Sequence, residues 1–177
     1  MTAGAIVLQQ GGYFGVPPNS FGMGGYTFSF ADALPMGSTA CVDTTALCGV
    51  GSAGVANATN TIYGGGIGVS LNQAMATGAA SPPILTLTTT GAGIAYALSN
   101  LPVGTRLSID NAGKDYCAPL TAASGTVAWA GFNSTCWTPA TGVALSGPPA
   151  ATQVKFQVSA GTTATPFNFC VTSLKFM

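Results

Sequence analysis

The chain has no histidine and no glutamate in 177 residues, and its charged residues amount to only 5%. The acids are Asp32, Asp43, Asp110 and Asp115; the bases are Arg106, Lys114, Lys155 and Lys175. Without histidine it lacks the commonest general base and metal ligand. Most hydrolases and lyases need a group titrating near neutrality or a pair of carboxylates, and here few candidates exist. A binding or structural role is therefore expected before an enzymatic one. The net charge is zero, which argues against nucleic-acid binding by phosphate neutralisation. No apolar run approaches the ~20 residues of a membrane-spanning helix. Met1 stands directly before TAGAIVLQQGGYFG, with no basic segment and no apolar signal core. Met1 is expected to stand in place of a removed signal or upstream domain.

What is present points to β-structure. Apolar residues make up 47%, enough for a core, while 25 Gly and 11 Pro punctuate the chain. Between them lie short runs of alternating character: GYTFSF from Gly25, IGVSLNQ from Ile67, ILTLTTT from Ile84 and IAYALS from Ile94. TRLSID from Thr105, TVAWAGF from Thr126, QVKFQV from Gln153 and FNFCVTSLKF from Phe167 follow. Period-two alternation, strand length and turn punctuation all specify strands. At most one helical turn is expected, near Gln73–Ala76 or Ala130–Ser134. The expectation is a single domain over 1–177. It is all-β, an antiparallel β-sandwich of jelly-roll type with long disulfide-clipped loops. The stretch Leu34–Gly66, rich in Gly, Ala, Ser and Thr, is read as one long loop. An unclipped loop of that length is uncommon in a compact domain.

Five cysteines, Cys41, Cys48, Cys117, Cys136 and Cys170, suit an oxidising compartment with two disulfides and one spare thiol. The alternative is five buried thiols in a cytosolic protein. No CxxC spacing points to zinc.

Two surfaces are candidates for binding. Alternation turns Arg106, Ser108 and Asp110 outward on one strand, and Lys155 and Gln157 outward on another. Such a face could hydrogen-bond the hydroxyls of a sugar chain, or be an ordinary solvated sheet face. The second surface is aromatic. If Cys117 and Cys136 are bonded, Tyr116 and Trp137 come close together, beside Asp110, Asn111, Lys114 and Asp115. Flat aromatics stack on sugar rings; equally, both could pack over the disulfide as core. Trp129, inside TVAWAGF, is read as core. Asp110, Asn111 and Asp115 could hold a structural calcium ion, although the loop lacks the usual ligand spacing. No other cofactor is expected.

The order GYTFSF, CVDTTALCGVG, IGVSLNQ, DYCAPL, GTVAWAGFNSTCW and FNFCVTSLKF resembles a domain recurrent in secreted proteins of myxobacteria and related soil bacteria. Such domains stand alone or beside polysaccharide-degrading or protease modules. The likeness spans nearly the whole chain, with Asn168 where an acidic residue is usual. The group in turn resembles jelly-roll carbohydrate-binding modules. The resemblance implies secretion, and a pairing of Cys41 with Cys48 and of Cys117 with Cys136, with Cys170 left in a core strand.

The leading expectation is a secreted, non-catalytic module that binds a neutral polysaccharide, with no nucleic-acid or membrane partner and with a catalytic module as an expected neighbour. Its ligand residues are expected to be Trp137 and Tyr116 by stacking, and Arg106, Asp110, Lys114 and Asp115 by polar contact. The face of Asn72, Lys155 and Gln157 is the fallback site. The rival is an extracellular structural or adhesive subunit assembling through strand edges, with AIVLQ at Ala5–Gln9 as the candidate edge. A third, an enzyme using Asp110 and Asp115 as a pair, has the least support.

Overall fold

The computed structural model describes residues 8–14, 24–32, 38–56, 63–137 and 141–177. In chain order the strands are β1 (Tyr13–Phe14), β2 (Gly25–Ala31), β3 (Thr39–Val42), β4 (Cys48–Ala53), β5 (Gly64–Ser70), β6 (Leu87–Thr88) and β7 (Gly93–Leu98). They continue as β8 (Thr105–Asn111), β9 (Lys114–Pro119), β10 (Ser124–Ala128), β11 (Ala150–Ala151), β12 (Gln153–Ser159) and β13 (Thr165–Phe176). One sheet runs β1-β2-β5-β12-β8-β9 and the other β10-β7-β13-β4-β3; β6 and β11 form a small ribbon. The sheets are antiparallel and packed as a sandwich.

Alternation decides which residues meet between the layers. In β12, Val154, Phe156 and Val158 are buried while Gln153, Lys155 and Gln157 are only partly so. From the opposite sheet, Phe169 meets Phe156 edge-on at 6.4 Å between ring centroids. Tyr96 meets Phe156 at 6.5 Å. Ile67, Leu107, Ile109 and Val171 are fully buried in the same cluster. Each buried aliphatic or aromatic side chain of this kind contributes roughly 1.5–3 kcal/mol. Between β8 and β9 the chain reverses through Ala112 and Gly113, at φ 53° and 83°. Two consecutive positive φ values match the right-handed twist of the strands, and glycine takes the second without steric cost.

Three expectations change. The stretch Leu34–Gly66 is not one loop, because it holds β3, β4 and the start of β5. In β4, Gly49 and Gly51 face inward, and a Cβ on Gly49 would overlap the Ile67 side chain of the other sheet. Small residues there let the layers approach, at the expense of a readable apolar stripe. Second, ILTLTTT forms only the two residues of β6, and TVAWAGF leaves the sheet at Ala128 for a single 3₁₀ turn, Trp129–Gly131. Trp129 is buried there, as expected of a core residue.

The third correction concerns the cysteines. Cys117 is bonded to Cys136. Cys48, however, is bonded to Cys170, and Cys41 is free and exposed. The sheet register is the reason: β4 and β13 place Cys48 and Cys170 directly opposite, whereas Cys41 lies opposite Val50. Of Ala5–Gln9, Ala5–Val7 lie outside the described residues; Leu8 is buried in the chain's own core and its N–H donates to the Thr45 carbonyl. Among the described residues no helix is long and apolar enough to cross a membrane.

Candidate functional site

The outer face of the six-stranded sheet carries a cleft of about 550 Å³. Register builds its floor. One row across the sheet reads Phe28, Gly68, Lys155, Ser108 and Cys117; the next reads Phe30, Gly66, Gln157 and Arg106. Glycines on the outward side of β5 leave a trough where other strands raise side chains. The Phe28 ring occupies the space that a Cβ on Gly68 would need.

One wall is the segment Ser134–Trp137, held to the sheet by the Cys117–Cys136 disulfide. Asn133 reinforces it: its Oδ1 accepts the Thr135 N–H and hydroxyl, and its backbone bridges to Cys117. Trp137 ends this segment and is 42% exposed. The Arg106 guanidinium stacks on the Trp137 ring at 4.0 Å from the centroid and donates to the Cys136 carbonyl. Tyr63 meets the same indole at 5.5 Å with planes tilted by 37°. Burial pulls the Arg106 pKa below its ordinary value, yet a guanidinium remains charged in proteins. A cation over an indole face is attracted to the ring quadrupole, so Arg106 holds Trp137 by one face while the side chain stays 42% exposed.

Polar groups line the rest. Lys155 Nζ donates to both Asp115 oxygens at 2.6 and 2.5 Å. Gln157 Nε2 donates to the Tyr63 carbonyl at 3.2 Å. Asp32 accepts the Gly64 N–H and faces the cleft beside Phe30. The charges of Lys155 and Asp115 cancel locally, and the remaining polar groups offer donors and acceptors.

Of the expected ligand residues, Trp137 and Asp115 line this cleft, and Arg106 supports it from beneath the indole. The other three do not line it. Tyr116 is opposite Ile109 and packs against the inter-sheet core. As the strand neighbour of Cys117 it must point to the other face. Lys114 shares that face, with Nζ 5.8 Å from the Tyr116 ring centroid. Asp110 does turn outward but is only 6% exposed. Its Oδ1 accepts the N–H groups of Thr152 and Gln153 at 2.6 and 2.8 Å, so it clamps the entry to β12. Arg106 and Asp110 do not pair; Arg106 is engaged with Trp137 and Cys136.

The fallback face is divided. Lys155 and Gln157 join the cleft, whereas Asn72 donates to the Thr86 carbonyl away from it. For calcium, Asn111 accepts the Ala150 N–H, and no group of three or more His, Cys, Asp or Glu among the described residues could hold a metal ion. Phe30, Asp32 and Tyr63 were not expected in the site. Alternation puts Phe28 and Phe30 on one face of their strand but does not say that this face turns away from the core. Nothing local connects Tyr63 with Trp137, which are far apart in sequence and meet only through the fold.

No protein-family model matches the chain, and neither a curated protein nor a solved structure matches it.

Proposed function

We propose that the protein is an extracellular, non-catalytic module that binds a neutral polysaccharide in the cleft beside Trp137. The observation that carries this reading is the exposed indole, held by Arg106, Tyr63 and a disulfide-anchored segment. A flat ring ordered before the ligand arrives loses little entropy on stacking. Asp115, Lys155, Gln157, Asp32, Ser134 and Thr135 surround it with groups suited to vicinal hydroxyls. The paired charges leave little net field to attract an ionic ligand. Two disulfides fit an oxidising compartment outside the cytosol. The sequence resemblance to a domain of secreted myxobacterial proteins, a group that itself resembles carbohydrate-binding modules, is in keeping with this proposal.

Depletion of the protein on insoluble cellulose, xylan, chitin or mannan tests it. One neutral polymer should retain the monomer. Trp137→Ala should weaken retention at least about tenfold, as for a desolvated aromatic anchor, while the exposed position keeps the loss of melting temperature small. Retention by none of these polymers, or undiminished retention of Trp137→Ala, would refute the reading. Concentration-dependent assembly without retention would favour the structural subunit instead.

A further inference from the structure

The five-stranded sheet ends on one side at β10, Ser124–Ala128, which among the described residues has β7 as its sole strand neighbour. The other sheet ends are protected. β1 has two residues, and β3, four residues long, runs beside β2 of the opposite layer. β9 carries Lys114, Asp115 and Pro119, and its Cys117 N–H and C=O bond to Asn133. Such devices keep a sheet edge from pairing with another chain. β10 reads SGTVA and has none of them; no charged residue lies between Asp115 and Lys155. Its residues are exposed apart from Val127, which leans on the core. The phase of its ladder follows from the two ends, where Leu98 N–H donates to the Ala123 carbonyl and Trp129 N–H to the Ala92 carbonyl. With Gly125 opposite Tyr96 and Val127 opposite Ile94, these alternate residues are the ones that bond to β7. Ser124, Thr126 and Ala128 therefore turn their N–H and C=O groups to the open edge.

We infer that β10 is a homodimerisation edge, to which a second copy of this chain adds its own β10 in antiparallel sense. The strand is complementary to itself. A pairing centred on Thr126 sets Ser124 opposite the partner's Ala128 and Gly125 opposite the partner's Val127. All the outward residues then exchange hydrogen bonds, about six in number, and a slip in either direction leaves some of them unmade. On the core side, the missing side chain of Gly125 leaves room for the valine opposite. On the outer side two threonines meet, a favourable cross-strand pair. The chain has zero net charge, and no like charges meet at this edge. Antiparallel addition places a two-fold axis normal to the sheet, so pairing uses up both edges and stops at two copies. A contact five residues long is small, so the dimer is transient and dilute protein is monomeric. β10 and the Trp137 cleft belong to different sheets, and the axis turns both clefts the same way. On the polysaccharide reading, on which this consequence alone rests, the dimer lays two clefts on one polymer and gains avidity without new contacts.

The test follows the full chain by sedimentation equilibrium from micromolar to millimolar concentration, without polysaccharide. Cys41→Ser is the parent, because the exposed Cys41 thiol could otherwise form covalent dimers. A monomer–dimer equilibrium is expected. Amide exchange should slow at Ser124, Thr126 and Ala128 as the dimer fills, while Gly125 and Val127, bonded to β7, are protected at every concentration. Thr126→Pro removes an N–H that β7 does not use, and it should weaken association at least about tenfold, since two hydrogen bonds are lost per dimer. Thr126→Lys keeps the N–H, sets like charges directly opposite and should act in the same direction; it decides the matter if the proline variant melts below its parent. The proposal is overturned by a monomer at every concentration, by species larger than a dimer, or by association unchanged in Thr126→Lys. It is also overturned by concentration-dependent protection elsewhere, as at the exposed Met75, Ile84 and Leu85. Dimerisation through β10 by a protein that no polysaccharide retains supports the proposal and counts against the cleft alone.

Discussion

Replacing Asp110 separates stability from binding. Its carboxylate accepts two backbone N–H groups through one oxygen, Oδ1, at 2.6 and 2.8 Å. Hydrogen bonds to a charged partner contribute about 1.5–3 kcal/mol each, and removing the acceptor leaves two partly buried donors unsatisfied. Asp110→Ala should therefore cost about 3–5 kcal/mol. Asp110→Asn keeps a carbonyl oxygen in the same place and loses the charge, which roughly halves each bond, so about 2 kcal/mol is expected. Asp115 stands directly opposite, but Lys155 already neutralises it, and relief of repulsion offsets little of this. At about 2–4 °C per kcal/mol for a chain of this size, the melting temperature should fall by roughly 6–20 °C for Ala and roughly 4–8 °C for Asn. Thermal melts followed by near-ultraviolet dichroism measure the first quantity; retention on polysaccharide, corrected for the folded fraction, measures the second. Retention per folded molecule should be unchanged. An Asp110→Ala protein that melts like the wild type but binds tenfold more weakly would refute the structural assignment.

Other substitutions probe the scaffold. Closing a longer loop removes more freedom from the unfolded chain, so Cys48→Ala, which opens a separation of 122, should cost about 5 kcal/mol. Cys136→Ala, with a separation of 19, should cost about 3; urea titrations that reverse this order would contradict the loop-closure account. A Cβ on Gly66 would overlap the Phe156 carbonyl, so Gly66→Ala should lose at least about 2 kcal/mol by forcing β5 from β12, seen as faster amide exchange along both strands. The Asp43 carboxyl is held below its ordinary value chiefly by the Thr45 N–H, then by the Thr45 hydroxyl. Its contribution to stability is present above the unfolded value near 3.8 and is lost as pH falls through the lower folded value. Acid unfolding of Asp43→Asn should be less steep in that window, and a carboxyl titration at or above the ordinary value would contradict the hydrogen-bonding cause.

Strands with large side chains were legible because alternation records which face is buried. Val154, Phe156 and Val158 in β12, and Leu107 and Ile109 in β8, announce their own orientation. β3, β4 and the start of β5 did not, since Gly49, Gly51, Gly66 and Gly68 carry no side chain to alternate. The same rule correctly turned Asp110 outward but could not show that the corner at Thr152–Gln153 would cover it. Tyr116 shows a rule left unused: next to Cys117 in a strand, it had to face away from Trp137. The Cys48–Cys170 pairing depends on the register of strands distant in sequence, and no local pattern encodes that. Trp137, Arg106 and Asp115 were found through their proximity to one disulfide, whereas Tyr63 reaches the cleft only through the closed fold.

The position of β13 has a consequence for how the molecule is made. It follows every other described strand in the chain, yet it lies between β7 and β4 within its sheet. During synthesis that sheet exists only as two separate pairs, β10 with β7 and β4 with β3, each with an open hydrogen-bonding edge. Vectorial folding from the ribosome or an export channel cannot join them. The layer closes only after β13 has emerged, through contacts distant in sequence of the kind that slow folding and lengthen exposure of sticky edges. A nascent chain of this protein therefore keeps the facing edges of β7 and β4 unpaired until β13 is free to insert.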